Sequence, residues 1–105
     1  KFKNKNKIFK YKNYYKDFLS IDQFTRIFFN MVKKNLDGVY NVSLGQKVYI
    51  SELLNWMNEN NYKTFIPISN FINDDSFYLN NKKLLKKIDF KIKKSDLKMF
   101  CLNFN

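Results

Sequence analysis

The chain has no histidine, one cysteine and two glycines, and these shortages exclude several kinds of site within it. Without histidine, neither a Ser-His nor a Cys-His pair can form, and zinc loses its commonest nitrogen ligand. The single cysteine, Cys101, cannot form an internal disulfide, and its apolar surroundings in the sequence predict a buried thiol. Gly38 and Gly45 are too few for a Gly-x-Gly-x-x-Gly dinucleotide-binding loop.

Acidic residues are also scarce. The chain has 9 acidic and 20 basic residues, and its formal net charge is +11. Such a charge suits an anionic partner, nucleic acid included. Arg26 is the one arginine, however, and arginine supplies the planar donor fork that reads guanine and phosphate. Lysine, asparagine, isoleucine, phenylalanine and tyrosine are abundant together, which is typical of a nucleotide-composition bias. We therefore expect nucleic acid to be an unlikely partner. The alternative function is a small basic nucleic-acid-binding module that uses lysine with interleaved aromatics such as Phe9, Tyr11, Tyr14 and Tyr15.

Long apolar runs are missing as well. None approaches the roughly 18 residues that a membrane span needs, so we expect no membrane partner and a cytoplasmic location. A chain of 105 residues with 45% hydrophobic and 19% aromatic residues is long and apolar enough for one small core.

The spacing of apolar residues predicts short strands alternating with about four helices, an α/β fold. Ser20 and Gln23 form a predicted capping box, and an apolar stripe from Phe24 to Val32 follows at helical spacing. Residues 1–13 are expected to be a lead-in segment, within which residues 8–11 have the composition of a short strand, and 14–105 the domain. The β-branched run at 64–68 is interrupted by Pro67 and is expected to be an edge strand or an irregular segment. Short strands are expected at 14–19, 39–42, 48–50 and 77–79, and further helices after Ser51, after Asn80 or Asn81, and after Ser95.

Three phrases of the sequence occur in a recognisable order. They are Lys16–Asp22 (KDFLSID), Gly38–Gly45 (GVYNVSLG) and Phe77–Leu84 (FYLNNKKL), with a predicted helix between the first two. A further segment, Val48–Leu53 (VYISEL), follows the second phrase in the same order. This succession resembles the second half of the extended short-chain dehydrogenases/reductases, the NAD-dependent epimerases and dehydratases of nucleotide sugars. The resemblance implies a C-terminal substrate-binding domain that lacks the Rossmann half. It implies a nucleotide-diphosphate sugar as the ligand, and it leaves a homodimer open.

The resemblance also implies roles for individual residues. Lys16 stands where the family has an arginine that contacts the substrate diphosphate, although lysine lacks the bidentate fork. Phe18 stands where an aromatic residue lines the nucleotide pocket, and the alternative is a core aromatic. Asp17 is expected to anchor the local backbone.

No catalytic residue is predicted in this chain. The family's Tyr-x-x-x-Lys pattern, in which the lysine lowers the tyrosine pKa, occurs once, as Tyr78 and Lys82. A strand leading into a helix is expected there, so the two side chains should not share a helical face. The resemblance implies that NAD or NADP is bound by the missing N-terminal half, which is the expected partner, and that this segment binds no cofactor or metal.

Overall fold

The computed structural model describes residues 7–58, 63–68 and 76–103. The described residues form a mixed α/β structure with four helices and two small sheets, which confirms the predicted fold class. None of these helices is both long and apolar enough to cross a membrane. The elements, in chain order, are β1 (Lys7–Lys12), β2 (Tyr15–Lys16), α1 (Ile21–Lys33), β3 (Val48–Tyr49), α2 (Ile50–Met57), β4 (Lys63–Ile68), α3 (Lys82–Leu85) and α4 (Lys94–Leu102).

The start of α1 is fixed by the predicted capping box. The Ser20 hydroxyl accepts the Gln23 N–H at 3.0 Å, and Gln23 Oε1 accepts the Ser20 N–H at 3.0 Å. Gln23 also donates from Nε2 to the carbonyl oxygen of Lys93 at 2.9 Å. Because Gln23 is buried, the cap also holds α1 against the segment that leads into α4.

Two sheets of two strands each are present in the described part of the chain. β1 pairs with β4 in parallel, with Phe9 opposite Phe65 and Tyr11 opposite Pro67. Residues 7–12 of the expected lead-in therefore belong to a sheet, while residues 1–6 lie outside the described residues. β2 pairs with β3 antiparallel, with Lys16 opposite Val48.

Several predicted element boundaries were wrong. No strand forms at 39–42 or 77–79, and the strand expected at 14–19 is only Tyr15–Lys16. The Leu79 N–H donates to the Asp17 carboxylate and the Val39 carbonyl accepts from Lys83 Nζ, so side chains bind these backbone groups. The predicted starts of α2 and α4 are also wrong, since both helices begin two residues earlier than the serine caps would place them, at Ile50 and Lys94.

The core consists of two small clusters of buried residues. Leu19 and Ile92 are partly buried and pack against both, so the two clusters adjoin. Cys101 is buried in the first, where burial raises the pKa of its thiol, and the predicted buried thiol is confirmed. The first cluster is Leu44, Val48, Leu97 and Cys101, and the second is Ile27, Leu84 and Ile88.

One face of α1 is apolar and uncovered by the described residues. Of the predicted stripe, Ile27 is fully buried, whereas Phe24 and Phe28 are 43% and 51% exposed. Their rings stack at a centroid distance of 6.1 Å. Phe29 and Val32 are more exposed still. We call Phe24, Phe28, Phe29 and Val32 the α1 apolar face.

Candidate substrate-binding site

Asp17 is the centre of the candidate site, because its carboxylate holds three backbone groups. Oδ1 accepts the Leu44 N–H at 2.7 Å, and Oδ2 accepts the Gly45 N–H at 2.8 Å and the Leu79 N–H at 3.1 Å. Hydrogen bonds to a charged acceptor are stronger than those between neutral groups. The carboxylate thus joins the end of β2 to two segments that are far apart in the sequence. Asp17 anchors backbone, but distant backbone and not the local backbone that was expected.

Asparagine side chains add hydrogen bonds between the segments that the Asp17 carboxylate joins, a region that we call the junction at Asp17. Asn81, which is buried, donates from Nδ2 to the Ser43 carbonyl at 2.8 Å. Asn41 donates from Nδ2 to the Asn80 carbonyl at 2.9 Å. Both bonds connect the 39–46 loop to the segment that enters α3, so this loop keeps a fixed position although it has no regular structure.

Lys16 is half-buried in β2, on the strand that leads into Asp17. Its Nζ lies 4.6 Å from the Phe77 ring centroid and 5.6 Å from that of Tyr14, both within cation–π range. Among the described residues, Lys16 forms no ion pair with a carboxylate. Its positive charge therefore lies near two rings and has no carboxylate partner within the described residues, an arrangement suited to an anion.

Phe18 is placed differently from Lys16. It is half-buried and packs against the cluster that contains Leu44 and Val48. This packing agrees with a core aromatic, the second of the two roles that the sequence left open. The rings beside Lys16 Nζ are those of Phe77 and Tyr14.

Sequence reasoning did not single out Phe77 as a neighbour of Lys16. Phe77 reaches this position because its N–H donates to the Tyr15 carbonyl at 3.3 Å, while the Tyr15 N–H donates to Ser76 Oγ at 3.4 Å. These bonds run the 76–79 segment alongside β2. The one signal in the sequence was that Phe77 opens the last of the three phrases.

A second lysine lies over an aromatic ring near β2. Lys47 Nζ is 4.8 Å from the Tyr15 ring centroid, and Tyr15 meets Tyr49 edge-on at 5.4 Å. On the other side of the junction, Lys83 Nζ lies 4.7 Å from the Tyr40 ring and donates to the Val39 carbonyl at 2.9 Å. Positive charge and aromatic rings therefore alternate around the junction.

Tyr78 and Lys82 do not share a helix. Tyr78 lies in the irregular segment before α3, and Lys82 is the first residue of that helix. This arrangement agrees with the prediction that the Tyr-x-x-x-Lys pattern is not a catalytic pair here. Within the described residues, no group of three or more histidine, cysteine, aspartate or glutamate side chains is placed to hold a metal ion.

Comparison with known proteins gave no relative from which a function could be transferred. No protein-family model, no curated protein and no solved structure matches the chain.

Proposed function

We propose that this chain is the C-terminal, substrate-binding part of an NAD(P)-dependent nucleotide-sugar epimerase, dehydratase or reductase. The observation that carries the proposal is the junction at Asp17. The three phrases that resemble this family, Lys16–Asp22, Gly38–Gly45 and Phe77–Leu84, all contribute a group to the hydrogen bonds of that one carboxylate. The meeting of these phrases at one carboxylate supports a shared site.

In this proposal Lys16 binds the diphosphate of the substrate. An ammonium group near two rings presents a positive charge, and Phe77 offers an apolar surface beside it for the rest of the nucleotide. Asp17 positions the site by fixing the loops on either side of β2. Phe18 supports β2 from the core.

The chemistry would be supplied by an N-terminal half. NAD or NADP bound there would exchange a hydride with a carbon of the sugar, and this chain would hold the sugar nucleotide in place. We place this activity in the cytoplasm, as the resemblance implies. The α1 apolar face supports the proposal, because exposed apolar patches of this kind mark surfaces that another part of a protein covers.

The decisive experiment is to read the coding sequence upstream of Lys1. We expect a Gly-rich strand–turn–helix followed by a helix with Tyr-x-x-x-Lys. A start codon directly before Lys1, with neither motif encoded, would refute the proposal.

A binding experiment tests the role of Lys16. The protein is titrated with UDP-glucose and with dTDP-glucose, and with uridine as a ligand without phosphate, while backbone amide resonances are followed. Lys16→Met should weaken binding of both sugar nucleotides and leave uridine unchanged, and Lys16→Arg should preserve or strengthen it, because arginine adds a bidentate fork. Lys98→Met, on the exposed surface of α4, is the matched control. Equal effects of Lys16→Met and Lys98→Met would contradict the assignment.

A further inference from the structure

One face of the β1·β4 sheet carries aromatic rings in a row. Alternate residues of a strand share a face, and paired residues of parallel strands point the same way. Phe9 and Phe65 are paired in register and their ring centroids are 5.6 Å apart. Tyr11 meets Phe65 edge-on at 6.4 Å, and Lys63 Nζ lies 5.7 Å from the Phe9 ring. We call Phe9, Tyr11, Phe65 and Lys63 the aromatic sheet face.

This face is accessible in the described structure. Phe9 is 41% exposed, Lys63 is exposed, and Tyr11 and Phe65 are half-buried. A two-stranded sheet buries little surface by itself and gains stability from whatever covers it. Parallel strands in particular are usually covered on their faces.

The charge of the two strands indicates what kind of partner covers them. Of the four lysines in residues 7–12 and 63–68, Lys63 lies on the aromatic sheet face, whereas Lys10 and Lys12 alternate onto the opposite face, and neither strand contains an acidic residue. A second copy of the chain would set lysines against lysines in a protein of net charge +11, which is repulsive. A polyanion is the complementary partner.

We propose that the aromatic sheet face binds single-stranded nucleic acid without sequence preference. Bases would stack on the Phe9 and Tyr11 rings, and Lys63 would neutralise a neighbouring phosphate. The shortage of arginine disfavours reading of base edges, but stacking needs only exposed rings and a positive field, both of which this face has. This site is separate from the junction at Asp17, and its test does not depend on the substrate role.

The test is a titration of a fluorescently labelled oligothymidylate of about 12 nucleotides, read by fluorescence anisotropy. We expect binding at about 50 mM salt that weakens steeply as salt is raised. Phe9→Leu keeps an apolar side chain but removes the ring, and should weaken binding about fivefold or more. Phe29→Leu, which removes a more exposed ring from α1, should leave binding unchanged.

Duplex DNA of the same length separates stacking from general attraction to a polyanion. Duplex bases are already stacked on one another, so Phe9→Leu should not change duplex affinity. A second pair of variants, Lys63→Gln and Lys98→Gln, removes the same charge on and off the face, and Lys63→Gln should weaken single-strand binding more. Circular dichroism of each variant establishes that it is folded.

Four results would overturn the proposal. The first is that the protein does not bind the oligothymidylate at about 50 mM salt. The second is that Phe9→Leu and Phe29→Leu change its affinity equally, and the third is that Phe9→Leu weakens duplex and single-strand binding equally. The fourth is that binding to phosphatidylserine vesicles depends on Phe9 whereas oligothymidylate binding does not. The last result would assign the face to an anionic membrane surface instead. The other side of this sheet, with exposed Ile8, Ile66 and Ile68, makes that comparison necessary.

Discussion

Gly45 lies so close to Asn81 that a Cβ on Gly45 would be 2.5 Å from Asn81 Oδ1. Gly45 also has a φ of +75°, a conformation that residues with a Cβ rarely adopt. The buried Asn81 side chain cannot move away without losing its bond to the Ser43 carbonyl. The close approach of these two residues holds the 39–46 loop against the start of α3.

Gly45→Ala should therefore destabilise the protein by about 2–4 kcal/mol, from backbone strain plus the collision with Asn81. Gly38→Ala is the matched control, because Gly38 also has a positive φ of +103° but its nearest neighbour, Lys83 Nζ, would be 3.6 Å from the new Cβ. It should cost about 1–2 kcal/mol. Urea unfolding measures both, and equal losses would show that the collision is relieved by a small shift.

Asp17→Asn should destabilise the fold by about 2 kcal/mol, since an amide offers one acceptor oxygen and turns an NH₂ group towards backbone N–H groups that need an acceptor. Asp37→Asn, at an exposed position, makes the same chemical change and should alter the unfolding free energy little. If amide exchange at Leu44, Gly45 and Leu79 were as slow in Asp17→Asn as in the parent protein, the anchoring role would be wrong.

The pH dependence of stability should depend in part on Glu52. Burial tends to raise the pKa of its carboxyl, but the Tyr49 N–H and the Lys94 ammonium, 2.9 Å away, outweigh burial, so the pKa lies below its ordinary value. A carboxyl with a lowered folded-state pKa stabilises the fold above its unfolded pKa, and this contribution is lost as the pH falls through the folded value. Glu52→Gln should therefore flatten the fall in stability between about pH 5 and pH 3.

The control for this prediction is Asp37→Asn, which should leave the slope of stability against pH almost unchanged in the same range. The measurement is the urea midpoint at several pH values. An unchanged slope in Glu52→Gln would mean that the ion pair with Lys94 adds nothing to the folded state.

The ion pair between Lys34 and Asp89 makes a separate titration prediction. Hydrogen bonds from Lys34 and from Asn30 lower the pKa of Asp89, and they link the end of α1 to the segment after α3. Lys34→Met should raise the Asp89 pKa, measured by carbon NMR of the side-chain carboxyl. Lys98→Met, in α4, should not move it.

The α1 apolar face should bind a hydrophobic dye. Phe28→Gln and Phe29→Gln should each lower dye fluorescence and self-association while changing the unfolding free energy by less than about 1 kcal/mol, because both rings are more than half exposed. Ile27→Gln, on the buried side of the same helix, should lower the unfolding free energy, because it buries a polar group in the core. A chain whose dye binding did not depend on Phe28 or Phe29 would contradict the exposure of this face.

The sequence by itself determined the elements whose causes are local. The capping box of Ser20 and Gln23, the helix that follows it and the mixed α/β class come from spacing and from hydrogen bonds between residues three apart. The sequence also predicted that Asp17 anchors backbone, although not which backbone groups it binds.

Only the tertiary structure decided what depends on residues far apart in the chain. The predicted strands at 39–42 and 77–79 do not form. The N–H groups of Leu79 and of Leu44 and Gly45, which follow 39–42, are bound by one carboxylate that lies 27 to 62 positions earlier. The sequence likewise did not predict that Phe77 lies beside Lys16, because the composition of a strand does not show which aromatic ring packs against a lysine side chain. Local patterns specify helices and caps, whereas the position of a charge near two rings is set by the packing of segments that the sequence keeps apart.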